Sequence, residues 1–208
     1  MPARIDADAR RRDIARLAAR LIATHGADNI SLRSLAAAAG ASTTVITHYF
    51  ANKAEVLEAA YRAAVDEARE RVEALPGDDD PRRVLLLCEA VLPLDGPRRM
   101  NWLTWLAFVG AAISEPRMAE LQRRRVTGHR ELLTHAIAAA KRAGGVHPDR
   151  DALDEARALL ALVHGVASHA VFDLEDWPAD RQLDTVRAFV AQLATPPAPE
   201  RPGSKAAS

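Results

Sequence analysis

Apolar residues recur along most of the chain at intervals of three and four, the spacing of one face of an α-helix, and no stretch alternates as a half-buried strand does. Ile14, Leu17, Ala18, Leu21 and Ile22 predict an amphipathic first helix from about Asp8 to His25, stopped at Gly26. Ser31 suits the N-cap of a second helix, which buries Leu32, Leu35, Ala36 and Ala39 and ends at Gly40, a residue free to take positive φ. Ser42 suits the cap of a short third helix with Ile46, Tyr49 and Phe50 turned inward, and Asn52 that of a long fourth from Lys53 to about Leu75. Prolines, which favour the first turn of a helix, mark out the remainder. Pro81 opens a segment through "VLLLCEAVL", Pro97 one through Trp102 to Ile113, Pro116 one ending near Ala143 before Gly144 and Gly145, and Pro178 the last, to about Ala194. Asp151 caps a helix from Ala152 to about Asp173. The expected fold is all-α with about nine helices: a three-helix N-terminal unit within residues 8–68, then a larger helical domain over 69–195. "TPPAPERPGSKAAS" has no period, so residues 196–208 are expected to be a disordered tail.

The third helix is unusual in using Thr43, Thr44 and Thr47, which helices tolerate only moderately well. Two short helices joined by a tight glycine-containing turn and braced by a longer one match a helix-turn-helix unit, here residues 31–50. In such a unit the second short helix enters the major groove of duplex DNA. With Ile46, Tyr49 and Phe50 committed inward, Thr43, Thr44, Thr47 and His48 point out; hydroxyls suit base edges and phosphates, and the methyls of Thr and Val45 suit thymine. Arg33 is placed to reach a phosphate or a guanine, and Lys53 stands where a helix start already favours an anion. The pattern alone also fits a plain αα corner.

Charge changes the balance between these two readings. The 208 residues have no formal net charge, yet residues 1–53 hold eight basic side chains against four acidic ones, and the excess acid lies in the remainder. A basic N-terminal part, with Arg10, Arg11 and Arg12 in a row, points to a polyanion.

The stretch "SLRSLAAAAGASTTVITHYFANKAEVLEAA" resembles the DNA-binding segment of the TetR family of transcriptional regulators, through Ser31-Leu32-Arg33, Ala36 to Gly40, Ser42, His48-Tyr49-Phe50 and Asn52-Lys53. The resemblance implies DNA contacts from Arg33, Ser42, Thr43, Thr44, Val45, Thr47, His48, Tyr49 and Lys53. Thr44, Thr47 and Ala51 depart from the family pattern, and Thr47 replaces a tyrosine that commonly meets phosphate, so operator preference does not transfer. Trp102, Trp105, Phe108, Pro116, His164-Gly165 and the helix after Pro178 resemble the C-terminal half of the BetI-like branch, which implies a ligand-sensing, dimer-forming domain.

The helix from Ala152 is apolar nearly all round, so it needs cover on two sides. One arrangement is an isologous four-helix contact between two chains through Leu160, Val163, Ala167, Val171, Val186, Phe189, Val190 and Leu193; the other is burial within one chain. Trp102, Trp105 and Phe108, with Phe172 or Trp177, either line an effector pocket or form core. As a pocket, with Glu89 near, they would suit a quaternary ammonium compound such as the choline-like ligand of the BetI branch. Arg123, Arg124 and Arg125 are expected on a solvated helix face.

His129, His135, His164 and His169 lack metal-ligand spacing, and the lone Cys88 lies among apolar residues. No catalytic motif, signal peptide or run long enough to span a membrane is apparent. The expectation is a cytoplasmic, homodimeric DNA-binding repressor that binds a pseudo-palindromic operator and answers to a small-molecule effector, with no cofactor, metal, catalytic residue or membrane partner. A helical adaptor that has lost DNA binding, or a helical enzyme, are the alternatives.

Overall fold

The computed structural model describes residues 2–197, with side chains from residue 7 onward. The tail expected over 196–208 falls, from residue 198, outside the described residues. Among the described residues the chain forms nine α-helices and one 3-10 turn: α1 Pro2–His25, the turn Ala27–Asn29, α2 Leu32–Ala38, α3 Thr43–Tyr49, α4 Lys53–Glu73, α5 Arg83–Val91, α6 Gly96–Ala112, α7 Pro116–Arg142, α8 Ala152–Ala170 and α9 Ala179–Gln192. None is long and apolar enough to cross a membrane.

The caps explain most of the boundaries. Ser31, Ser42, Asn52, Asp95 and Asp151 each accept a backbone N–H of the first turn that follows them, satisfying donors the helix leaves free. Two expected openings differ. Pro81 stands two residues ahead of α5, whose cap position Arg82 makes no side-chain cap, and Pro178 is the cap position of α9 rather than its first residue. Helix α1 begins at Pro2, six residues earlier than the apolar period suggested, because a helix can extend past its buried stripe. Helix α8 ends at Ala170, not near Asp173.

Gly40 is the residue on which the α2–α3 turn depends. It sits at φ +59°, its N–H reaches Ala37 O at 3.2 Å, and the next N–H, of Ala41, reaches back to Ala36 O at 3.0 Å. This closes α2 with a left-handed residue that only glycine occupies without strain. Gly40→Ala is therefore expected to cost about 1–2 kcal/mol, since its Cβ has open space and only the backbone conformation objects. Urea unfolding checks this, and an unchanged midpoint would contradict the role given to the turn.

One apolar cluster runs from Ile14 and Leu35 through Phe50, Tyr61, Phe108 and Val163 to Leu193, so the N-terminal helices are not an isolated head. Helix α1 packs on both α4 and α6, and α7 packs on α8. Two buried contacts tie the first four helices to the rest. The Thr104 hydroxyl of α6 donates to Ala19 O of α1 at 3.0 Å, and the rings of Tyr61 (α4) and Phe108 (α6) stack at 3.7 Å, nearly parallel. A third lies at the edge, where the nearly buried Glu58 carboxylate of α4 binds Arg62 and reaches Arg117 at the start of α7, 3.2 Å away.

Candidate nucleic-acid interface and ligand cleft

The helical period of α3 sorts its side chains cleanly. Ile46 and the adjoining Phe50 are fully buried, while Ser42, Thr43, Thr44, Val45, Thr47 and His48 are exposed and Tyr49 is half-buried. The outward residues form one small, polar, methyl-bearing face, of a size that enters a groove. Two hydroxyls are partly engaged. Ser42 Oγ accepts from the Val45 N–H, and Thr47 donates to Thr44 O at 3.0 Å, which leaves Thr43 and Thr44 the freer pair.

Basic side chains flank this face. Arg33 on α2 is exposed and has no ion-pair partner among the described residues. Arg11 of α1 lies over the Phe50 ring at 5.0 Å and donates from Nε to Tyr49 O at 3.4 Å, which brings the arginine cluster of α1 beside the end of α3. Lys53 is not free: its ammonium donates to Asp28 O at 3.0 Å and lies 3.9 Å from Asp28 Oδ1.

The aromatic side chains separate into two groups. Trp102 and Trp105 are buried on α6, edge to face at 4.8 Å, and both pack on His164 of α8. Phe108 is fully buried core. Phe172 is 76% exposed beyond the end of α8, and Trp177 stacks on His169 instead of joining the other tryptophans. Glu89 faces Arg187 at 3.6 Å. The expected pocket of Glu89, Trp102, Trp105, Phe108, Phe172 and Trp177 is thus not assembled; only Trp102 and Trp105 meet at a cleft.

That cleft lies among α4, α5, α6 and α7, is narrow, with a cavity volume of about 20 Å³, and is lined by Tyr61, Val65, Arg71, Val91, Arg98, Asn101, both tryptophans and Arg125. The indole N–H groups are already used, Trp102 donating to Val91 O at 2.5 Å and Trp105 to Gln122 Oε1 at 3.0 Å. No acidic side chain lines it. Arg125, expected in solvent, turns inward: Arg123 and Arg124 are exposed and share Glu120, while Arg125 lies 5.7 Å from the Trp105 ring centroid. An apolar cavity lined in part by Cys88, His129 and Leu160 shares Val91 with it. Burial pushes the Cys88 thiol up to about 12, so it is inert at neutral pH.

The same surroundings hold two histidines neutral. Burial, with the Arg125 charge adding in the same direction, pushes His129 down to about 3 and His164 to about 4. Both folded values lie below the unfolded one of about 6.5, so the unfolded chain binds more protons at acid pH. Stability is expected to be fully present above about pH 6.5 and to fall as pH drops towards 4, by up to about 1.4 kcal/mol per pH unit for each histidine. Urea midpoints at pH 7, 6 and 5 measure the slope; His164→Gln should make it shallower, and an unaltered slope would contradict a neutral, half-buried His164.

Six of the eight residues expected at a chain–chain contact lie elsewhere than that reading needs. Leu160, Val163, Ala167, Val171, Val186 and Leu193 are buried in this chain's own core, and Phe189 and Val190 are half-buried. The apolar girth of α8 is covered by its own neighbours because the outward positions are small: Ala158, Ala161 and Gly165 are exposed, with Leu162 half-buried beside them.

Comparison with known proteins bears on the whole chain. The model of BetI-type transcriptional repressors, C-terminal, matches residues 80–195, and that of bacterial regulatory proteins of the tetR family matches residues 14–60. The chain is 28% identical over 195 residues to the HTH-type transcriptional regulator PksA of Bacillus subtilis, covering 92% of this chain and 91% of that protein. It is 25% identical over 171 residues to the regulator BetI of Escherichia coli K12, covering 80% and 85%. Among solved structures, a transcriptional regulator from Rhodococcus sp. Rha1 superposes with a TM-score of 0.77 at 25% identity, over 88% of this chain and 97% of that one. A regulator from Saccharomonospora viridis, solved in complex with choline, also gives 0.77, at 24% identity over 88% and 96%.

Proposed function

Because the chain belongs to the TetR family, with a BetI-type C-terminal half, we propose that it acts in the cytoplasm as a homodimer that grips a pseudo-palindromic operator and releases it when a small molecule enters the cleft beside Trp105. That it is a DNA-binding, ligand-responsive transcriptional repressor is the family's function. The operator contacts are assigned to Thr43, Thr44, Val45, Thr47 and His48 for bases, and to Arg33, Ser42, Tyr49 and Lys53 for the backbone. The observation that supports this most is the two-sided character of α3, with Ile46 and the adjoining Phe50 locked into the core and the threonine side chains exposed. Lys53 serves by fixing the start of α4 against Asp28 as well as by its charge.

The dimer contact is proposed for the outward face of α8, with Ala158, Ala161, Leu162 and Gly165, and for Phe189 and Val190 of α9. Small residues let two helices approach closely, and the exposed apolar side chains at the ends of α8, Leu153 at 38% and Phe172 at 76%, call for cover.

Release follows from the links already described. Tyr61 and Arg71 of α4 line the cleft, and the same helix begins at Lys53 beside the proposed DNA face. A ligand that fits better when α4 and α6 are shifted moves the population away from the arrangement that binds DNA, by its difference in affinity for the two.

A mobility shift with the DNA upstream of the protein's own coding region tests the proposal. Binding is expected in dilute salt and should weaken steeply as salt rises. Arg33→Ala should weaken binding to all duplexes alike and reduce the salt slope by about one. No retention of any duplex in dilute salt would contradict the assignment.

A further inference from the structure

We infer that the molecule this chain senses is a small organic carboxylate, its charged end bound between Arg125 and Asn101 and its apolar body against Trp102 and Trp105. The inference rests on the reading that the cleft among α4, α5, α6 and α7 is the effector site.

Arg125 carries the argument. Its Nε and Nη1 are shut off from solvent without a hydrogen-bond partner, and no carboxylate pairs with it among the described residues. Leaving guanidinium nitrogens buried and unpaired is costly, and replacing buried charged groups by apolar residues of similar volume is often neutral or stabilising. Keeping it is explained by an anion that completes the site. Asn101 Nδ2 is also buried and unpartnered in the same cleft, so two neighbouring groups offer donors that nothing in the chain accepts.

The rest of the lining sets the ligand's charge and shape. Arg71 and Arg98 add positive charge, but their donors are partly committed, Arg71 to Ala90 O at 3.0 Å and Arg98 to Glu89 O at 2.8 Å and to Asp95. One guanidinium is therefore left to be neutralised, which a single carboxylate does in a two-bonded fork. With three arginines and no acid lining the cleft, a quaternary ammonium ion would meet repulsion that its aromatic contacts do not offset. Both indoles have spent their N–H groups on protein oxygens, so what they present to a ligand is apolar.

The full-length protein, titrated with benzoate, octanoate, their neutral amides and choline, tests this by tryptophan emission and by thermal unfolding. The carboxylates are expected to change the emission saturably and to raise Tm, and the amides and choline to do neither. Arg125→Met should weaken carboxylate binding roughly ten-fold or more. Without ligand the same variant should melt at or above the wild-type temperature, and Asn101→Leu should show a smaller loss of binding. A lower Tm for ligand-free Arg125→Met would make Arg125 a structural residue and overturn the inference. Choline or an amide bound as tightly as the carboxylates would overturn it while leaving the cleft as an effector site; silence from all five compounds would remove both.

Discussion

Truncating Phe108 to alanine is expected to lower the free energy of unfolding by about 3–5 kcal/mol, a large part of the roughly 5–15 kcal/mol a domain of this kind possesses. The ring is completely buried, and its face lies on Tyr61 at 3.7 Å, so the loss combines apolar surface, an aromatic contact and a cavity that the adjoining helices can close only in part. The position also matters for signalling. Phe108 is where α6, which bears Trp102 and Trp105, presses on α4, which begins at Lys53. Phe108→Leu, with its smaller cavity, should be milder in stability and still loosen this contact. Urea unfolding gives the first quantity, and a loss below about 1 kcal/mol for alanine would mean that the α4–α6 packing described here is wrong.

The second large effect is on DNA affinity. Ala161→Glu places a carboxylate in the middle of the proposed α8 face, where two-fold symmetry would bring it towards its own copy. Ala161 is exposed in the single chain, so the fold itself should tolerate the change within about 0.5 kcal/mol. Splitting the pair removes the second reading head, and binding should fall by about 10³-fold or more, from the specific range towards the non-specific one. Sedimentation should show a monomer with an unchanged helical spectrum. A dimer of normal affinity would move the contact to another surface.

The sequence made the capped helices legible because capping and positive φ are local requirements. Ser31, Ser42, Asn52 and Asp151 cap as a side-chain oxygen within reach of a free N–H must, and Gly40 takes the left-handed conformation that its neighbours could not. The outward face of α3 was legible for the same reason, since its period is 3.6 residues and its core positions are apolar. What depends on distant packing was not. Helix α8 looked as though it needed a second chain around Leu160 and Val163, yet α7 and α9 of the same chain cover them. Phe172 and Trp177 looked like companions of Trp102, but the turn after Ala170 carries them away.

Three adjacent arginines suggest one solvated run, and the inward turn of Arg125 departs from it. Consecutive residues on a helix stand about 100° apart, so three of them cannot share a face. The stripe of α7 that turns inward passes through Met118, Gln122, Arg125, His129, Leu133 and Ala136. Gln, Arg and His on an otherwise apolar stripe are a signal that the sequence held: Arg125 lines the cleft, Gln122 holds the Trp105 indole, and His129 lines the neighbouring apolar cavity.

Selection of bound sequences from a randomised duplex pool asks whether the outward face of α3 reads duplex DNA twice per symmetric pair. Enrichment is expected of an inverted repeat whose half-sites lie about 34–36 Å apart or a multiple of that, with the preferred bases altered by Thr44→Ala or His48→Ala. A pool that stays random after repeated rounds, or a preference untouched by changes at Thr43, Thr44, Thr47 and His48, would contradict it.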